Sequence, residues 1–547
     1  MSLLAPTPPP YDALEWQTKP LAERARMVCQ AWAIQGYGTP LGAFALYAFK
    51  VVFYIGAWIW FCRTTPGLGS VRHFTEWCLS PVAFQKAILW SMLFEGLGLG
   101  CGSGPLTGRY FPPVGGFLYF LRPGTTKLPL FRGVPVFGGR TRTLLDVALY
   151  LAWIIVMFLT LRSQTIEREP LIAIVSLVLI LGVTDRTLFL AMRGEHYWTT
   201  CVVFLFAGNW IAGAKAVQLA LWFFAGFSKL NHHFPAVVCV MTSNSPFTRF
   251  AFIRKLMYRA YPDDLRPSTL AVWLAHAGTA FELGVPIVML LTPLGHAPLL
   301  GIILMLMLHT YITSNVPMGV PIEWNFMVVY GGFALFWANP GVSLMDLGSL
   351  PLALFLIVML LAIPLLGNLF PERLSFLLSM RYYAGNWAYG VWLFKRDAHK
   401  KLAKMTMSAP WVEDQLAMFY DKKTAVGLFG KVMAFRMMHL HGRGLMELIP
   451  KAVERFEDYD YMEGEVVAGL VLGWNFGEGH LHREELLQSV QSQCGFEEGE
   501  VRCVFVESQP LFQKTLSWRI FDAKAGQLAQ GKLDIDKLRE RQPWQAA

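Results

Sequence analysis

The chain has 547 residues, of which 54% are hydrophobic and 16% charged, and its formal net charge is +9. Soluble globular chains carry about 25% charged and 45–50% apolar residues, so both figures depart toward a membrane-embedded polypeptide. They exclude a disordered protein and an ordinary soluble enzyme. In a membrane protein the basic surplus reads as loops facing an anionic leaflet, with no nucleic-acid partner.

Residues 1–40 are proline-rich and then charged, without the early apolar core of a signal peptide. Within them, 12–32 predict a short amphipathic helix at the membrane interface. A transmembrane helix needs about 20 mostly apolar residues, and about ten stretches qualify. They are 41–61, 82–102, 143–161, 170–193, 197–212, 214–228, 268–292, 298–316, 321–337 and 349–370. The pair 197–212 and 214–228 is read as a break near Gly213. Residues 246–261 alternate aromatic and basic side chains at helical spacing, the pattern of a helix lying on an anionic membrane surface. Arg381 to Gly390 is aromatic and reads as an interface anchor. The apolar runs end near residue 398. The expected fold class is therefore an all-α polytopic membrane helix bundle over 41–397, followed by a small α+β soluble domain over 398–547. That tail reads as helix 411–458, strand 465–474, helix 481–493 and strands 501–507 and 515–522.

Lys and Arg concentrate in cytoplasmic loops. Loop 103–142 holds Arg109, Arg122, Lys127, Arg132, Arg140 and Arg142 and no acid, whereas loops 293–297 and 338–348 hold no Lys or Arg. With about ten spans and both termini cytoplasmic, every strongly basic segment falls on one side.

Ionisable groups in hydrocarbon cost about 2.5–3.5 kcal/mol even on the lenient insertion scale, so they are paired or functional. Lys50, Glu95, Asp146, Lys229, His276, Glu282, His309 and Glu323 fall in or at the ends of the spans. At about 1.5 Å of rise per residue, His276 and His309 lie at similar depth on adjacent antiparallel helices, and Glu282 lies about 9 Å deeper than His276, in another layer. One polar cavity is expected from Lys229, His276, His309, Asn315, Glu323 and Asn325. The bland alternatives are a snorkelling Lys229, histidines satisfied by backbone carbonyls, and a solvated Glu323. Glu282 is too deep for any of these and must be neutral, paired or lining a cavity. His480-x-His482 with Glu484 and Glu485 reads as polarity on a solvated helix start rather than as a metal site.

Three stretches carry a family resemblance: Trp222-Phe-Phe-Ala-Gly-Phe-Ser-Lys229-Leu-Asn231, Ala280-Phe-Glu282-Leu-Gly-Val-Pro286, and His309 to Asn315 followed by Met318-Gly-Val-Pro321. In order and spacing, over about residues 140–340, they resemble motifs of the vitamin K-dependent γ-carboxylase superfamily and its bacterial horizontally transferred transmembrane domain (HTTM) relatives. The resemblance implies a quinone- or lipid-sized cavity, with Lys229 as a general base toward a quinone or similar hydrophobic small molecule. It implies that His309 and Glu282 assist, with Asn231 beside them. The sequence departs from the family after His309, where Pro317 to Asn325 replaces an apolar aromatic stretch. Three functions follow: a membrane-embedded enzyme on a quinone- or lipid-like substrate, a transporter of lipid or an envelope component, or a scaffold recruiting a partner through the tail. Membrane lipids are partners in each.

Overall fold

The computed structural model describes residues 4–100, 109, 116–135, 137–206, 208–291, 296–315, 321–382 and 384–545. Among the described residues, five helices are long and apolar enough to cross a membrane: Leu41–Cys62, Leu144–Arg162, Trp210–Leu230, Thr269–Leu291 and Leu350–Leu369. Their lipid-facing residues explain the composition, since most of Leu41–Cys62 and Leu350–Leu369 is not covered by protein. Shorter helices fill the bundle between them: Pro81–Gly96, Arg168–Thr184, Ala297–Thr313 and Ile322–Gly331.

The apolar run 197–228 does not break at Gly213. The short helix Thr199–Phe204 ends before it, and Trp210–Phe227 then runs as one helix through Gly213. A Cβ at Gly213 would lie 2.7 Å from Val203, so this glycine serves a close helix approach. Upstream, Arg193 takes the left-handed region (φ 53°) just before Gly194, where a π-helical segment Gly194–Trp198 begins. Helix Leu144–Arg162 starts in a capping box between Thr143 and Asp146.

The basic loop 103–142 behaves differently from its charge count. Of its six cations, Arg109, Lys127 and Arg142 are buried. Lys127 sits 2.7 Å from Asp146, and Arg142 pairs with Asp185. The charges of Lys127 and Arg142 are met by carboxylates inside the protein. The glycine- and proline-rich stretches 101–108 and 110–115 lie outside the described residues.

A hairpin of β1 (Tyr258–Ala260) and β2 (Asp264–Pro267) follows the helix Ala251–Met257. Around that helix Phe247, Phe250 and Phe252 point outward, each more than half exposed. The tail carries a five-stranded antiparallel sheet of β3 (Tyr389–Lys395), β4 (Tyr459–Glu463), β5 (Val501–Val506), β6 (Thr515–Asp522) and β7 (Gly526–Asp534), in the order β4-β3-β5-β6-β7. The stretch read as an interface anchor thus leads into an inner strand of this sheet, and six of the seven β3 residues are buried. The run read as strand 465–474 is instead the buried helix Gly464–Leu472.

The tail is docked on the bundle. Tyr119 donates to the Val471 carbonyl at 2.6 Å, Gln509 N–H donates to Asn386 Oδ1 at 2.7 Å, and Arg186 pairs with Glu485. The amphipathic helix near the N-terminus, Leu21–Gln35, buries Ala25, Val28, Cys29 and Trp32. Trp32 meets Phe435 of the tail helix Lys422–Met437 and donates to the Val240 carbonyl, so its apolar face is covered by protein rather than by lipid.

Candidate functional site

The site is built where helix Trp210–Phe227 runs against helix Thr269–Leu291. Gly226 makes their approach possible, because a Cβ there would lie 2.9 Å from Glu282 Cβ and from the Leu283 amide nitrogen. One turn on, the helix ends in a 3-10 turn, Ser228–Leu230, that carries Lys229. Cations are favoured at that end by the helix dipole. The Lys229 ammonium forms a buried ion pair with the Glu282 carboxylate and lies 4.8 Å from the Phe234 ring centre. Pro286 lies inside the partner helix and cannot donate to the carbonyl of Glu282, four residues earlier.

Beside the pair stands His309. Asn325 Nδ2 donates to the Pro321 carbonyl at 2.7 Å, which turns Asn325 Oδ1 toward His309 Nδ1, 2.6 Å away. His309 Nδ1 therefore carries the proton, and Nε2 accepts from the Trp222 indole N–H at 3.2 Å. The hydrogen bonds fix a neutral imidazole in one tautomer and hold the Trp222 ring in place.

Two cavities meet at the ion pair. The first, about 90 Å³, is lined by Trp222, Lys229, Glu282, His309 and Asn325 together with Trp324, Tyr382 and tail residues including Arg436 and Glu465. The second, about 310 Å³, is apolar and lies beneath the aromatic–basic segment, between Phe234, Met241, Ile253, Leu274 and Leu308. Lys229, Glu282 and Ile312 line both.

The structure thus brings Lys229, Glu282, His309 and Asn325 together. Glu282, expected in another layer of the bundle, is nonetheless the partner of Lys229, because a long lysine stem can reach along the helix axis. His276 is exposed on the outer face of its helix. Six residues at about 100° each separate it from Glu282, so similar depth did not mean the same face. Glu323 belongs to a second polar cluster. It lies 3.6 Å from Lys50, and a Cβ on Gly100 would touch both Glu95 and Glu323. Asn315 is buried and donates to the Tyr311 carbonyl at 3.0 Å. Asn231 is buried just past the 3-10 turn. Residues 316–320, within the third motif, lie outside the described residues.

Sequence reasoning passed over Arg193, Glu195, Tyr382 and Arg436. Arg193 sits 2.8 Å from Glu195 and over the Trp324 ring, and Tyr382 donates to Glu195 at 2.9 Å. Arg436 closes the tail side of the first cavity through Glu463, at 2.9 Å, and Glu465. The signal for the first two was the Arg193-Gly-Glu-His196 run inside an otherwise apolar stretch.

A buried histidine layer joins bundle and tail. His233 Nε2 donates to Gln509 Oε1 at 2.8 Å, its ring lies 4.8 Å from that of His441, and His480 bridges Glu478 at 3.1 Å and Glu507 at 3.0 Å. His480 and His482 are buried, so this motif is interior polar structure and not a solvated helix start. Burial works against charge on His480, but Glu507 and Glu478 outweigh it and raise its pKa. Burial likewise pushes Glu507 up, and His480, the Ser508 N–H and Arg483 more than offset this, bringing it to about 2. Among the described residues no group of three or more metal-binding side chains converges.

Long apolar helices, ion pairs sealed among them and a tail packed on one end define a multi-pass membrane protein. The chain belongs to the family described as "Transmembrane protein of unknown function (DUF3556)", which it matches over residues 1–547. No curated protein and no solved structure matches it.

Proposed function

We propose that this protein is a membrane-embedded enzyme acting on a quinone- or lipid-like substrate, with Lys229 as general base. The observation that carries the reading is that the Lys229–Glu282 pair forms the common wall of two apolar-lined cavities. In so apolar a place, passing the ammonium proton to Glu282 replaces an ion pair by two neutral groups. The free amine then accepts the proton of a phenolic or lipid hydroxyl, leaving a substrate oxyanion beside the ammonium. Trp222, oriented through His309 and Asn325, would wall the reacting end. The likeness of the Lys229, Glu282 and His309 stretches to the γ-carboxylase and HTTM motifs supports this reading. In this proposal the shorter helices complete about ten spans, and both termini are cytoplasmic.

Native mass spectrometry of the purified protein, followed by turnover of whatever hydrophobic molecule co-purifies, tests it. Wild type should convert the ligand, and Lys229→Ala should bind it without converting it. Full turnover by Lys229→Ala would refute the assignment. A second reading, transport of a lipid or envelope component, draws on the same partition, with the ion pair as a gate between cavities. It requires movement of unaltered ligand across vesicles, lost in Glu282→Gln.

A further inference from the structure

The tail holds a polar groove of about 600 Å³, separate from the site above and lined among others by Arg373, Arg483, Ser517, Arg519 and Lys532. Its floor is the β6–β7 hairpin. The register places Ser517 opposite Lys532 and Arg519 opposite Gln530, so these four side chains project from one face. Trp518 projects from the other face across Gly531, where a Cβ would lie 2.7 Å from the indole. Arg519 is steadied over the Phe505 and Phe521 rings at 5.8 and 5.7 Å. Arg373 comes four residues after the end of helix Leu350–Leu369, which sets this wall at the membrane boundary.

The cations of the groove outnumber the two carboxylates that also line it, Glu372 and Glu507. Glu507 is engaged by His480 at 3.0 Å and by Arg483 at 3.8 Å. Arg373 has the adjacent Glu372 at 4.0 Å, with its own side chain 78% exposed. Among the described residues no carboxylate lies within ion-pair distance of Arg519 or Lys532. Guanidinium forks beside a lysine and a serine hydroxyl form a donor set suited to tetrahedral phosphate oxygens. We propose that this groove binds a phosphate group, presented by an anionic phospholipid headgroup at the interface or free in solution.

The full-length protein in detergent tests both sources. Native mass spectrometry compares retention of phosphatidylglycerol with phosphatidylcholine, and calorimetry titrates inorganic phosphate. Wild type should retain the anionic lipid preferentially or bind phosphate. The Arg519→Gln/Lys532→Ser double variant should weaken that binding by roughly tenfold or more, as expected for losing charge-assisted bonds. Arg396→Ser/Lys400→Ser, which removes two surface charges elsewhere on the tail, should not. Loss in the lipid arm identifies the headgroup, and loss in the phosphate arm identifies the soluble anion. If neither ligand binds, or the double variant binds as wild type does while melting at the same temperature, the proposal is overturned.

Discussion

The pairing of Lys229 with Glu282 makes a quantitative prediction. Both side chains are about 95% buried. Removing one partner of a buried pair leaves an uncompensated charge and costs about 3–5 kcal/mol, whereas replacing both by apolar groups of similar volume is close to neutral. Unfolding entropy near 2.1 cal/mol/K per residue amounts to on the order of 1 kcal/mol/K over 547 residues. Glu282→Gln and Lys229→Met should therefore each lower Tm by about 3–5 °C. The double variant Lys229→Met/Glu282→Leu should recover to within about 1 °C of wild type. The assay is thermal unfolding in a fixed detergent at constant pH and protein concentration. Additive losses in the double variant would show that the two residues are not an energetic pair, and the reading of the site would fall with them.

Two further outcomes follow from the packing and the buried histidines. Gly226→Ala should cost about 1–3 kcal/mol by overpacking the contact with Glu282, whereas Gly284→Ala, which meets nothing within 4 Å, should melt like wild type in the same assay. Acid should loosen the tail. Burial pushes His439, His441 and His482 from 6.5 down to about 3, so their contribution is full above pH 6.5 and is lost as pH falls through that window. Glu507 acts in the same sense lower down, from 4.5 to about 2, whereas His480, raised above 6.5, contributes fully below pH 6.5 and loses its contribution as pH rises. Tm should fall between pH 7.5 and pH 5, and His441→Gln should fall less steeply; an unchanged slope would refute the histidine assignment.

Much of the site was legible because intramembrane charge is costly: Lys229 and Glu282 stood out by chemistry alone, and Gly226 and Pro286 acquire physical meaning from the helix contact. What was not legible was azimuth. Depth along a helix placed His276 in the cavity, and its turn around the axis placed it outside. Arg193 and Glu195 were lost at the junction of two candidate spans, where a helix break hides pairing between near neighbours. In the tail, Val466, Val467 and Val471 suggested a strand, but a short apolar run buried on all sides has no periodicity to decide between strand and helix. The same ambiguity hid β3 behind its aromatic content.

The place of β3 in the sheet has a consequence for dissecting the protein. Leaving the last long helix, the chain supplies the strand that sits between β4 and β5, with ladder partners on both sides. A fragment begun at residue 398 would keep four strands but lose the one that joins them. It would leave β4 detached and the inner edge of β5 open to pairing with other molecules. The unit that can be excised intact must start upstream of Tyr389, so the tail is anchored through its middle rather than tethered by its rim.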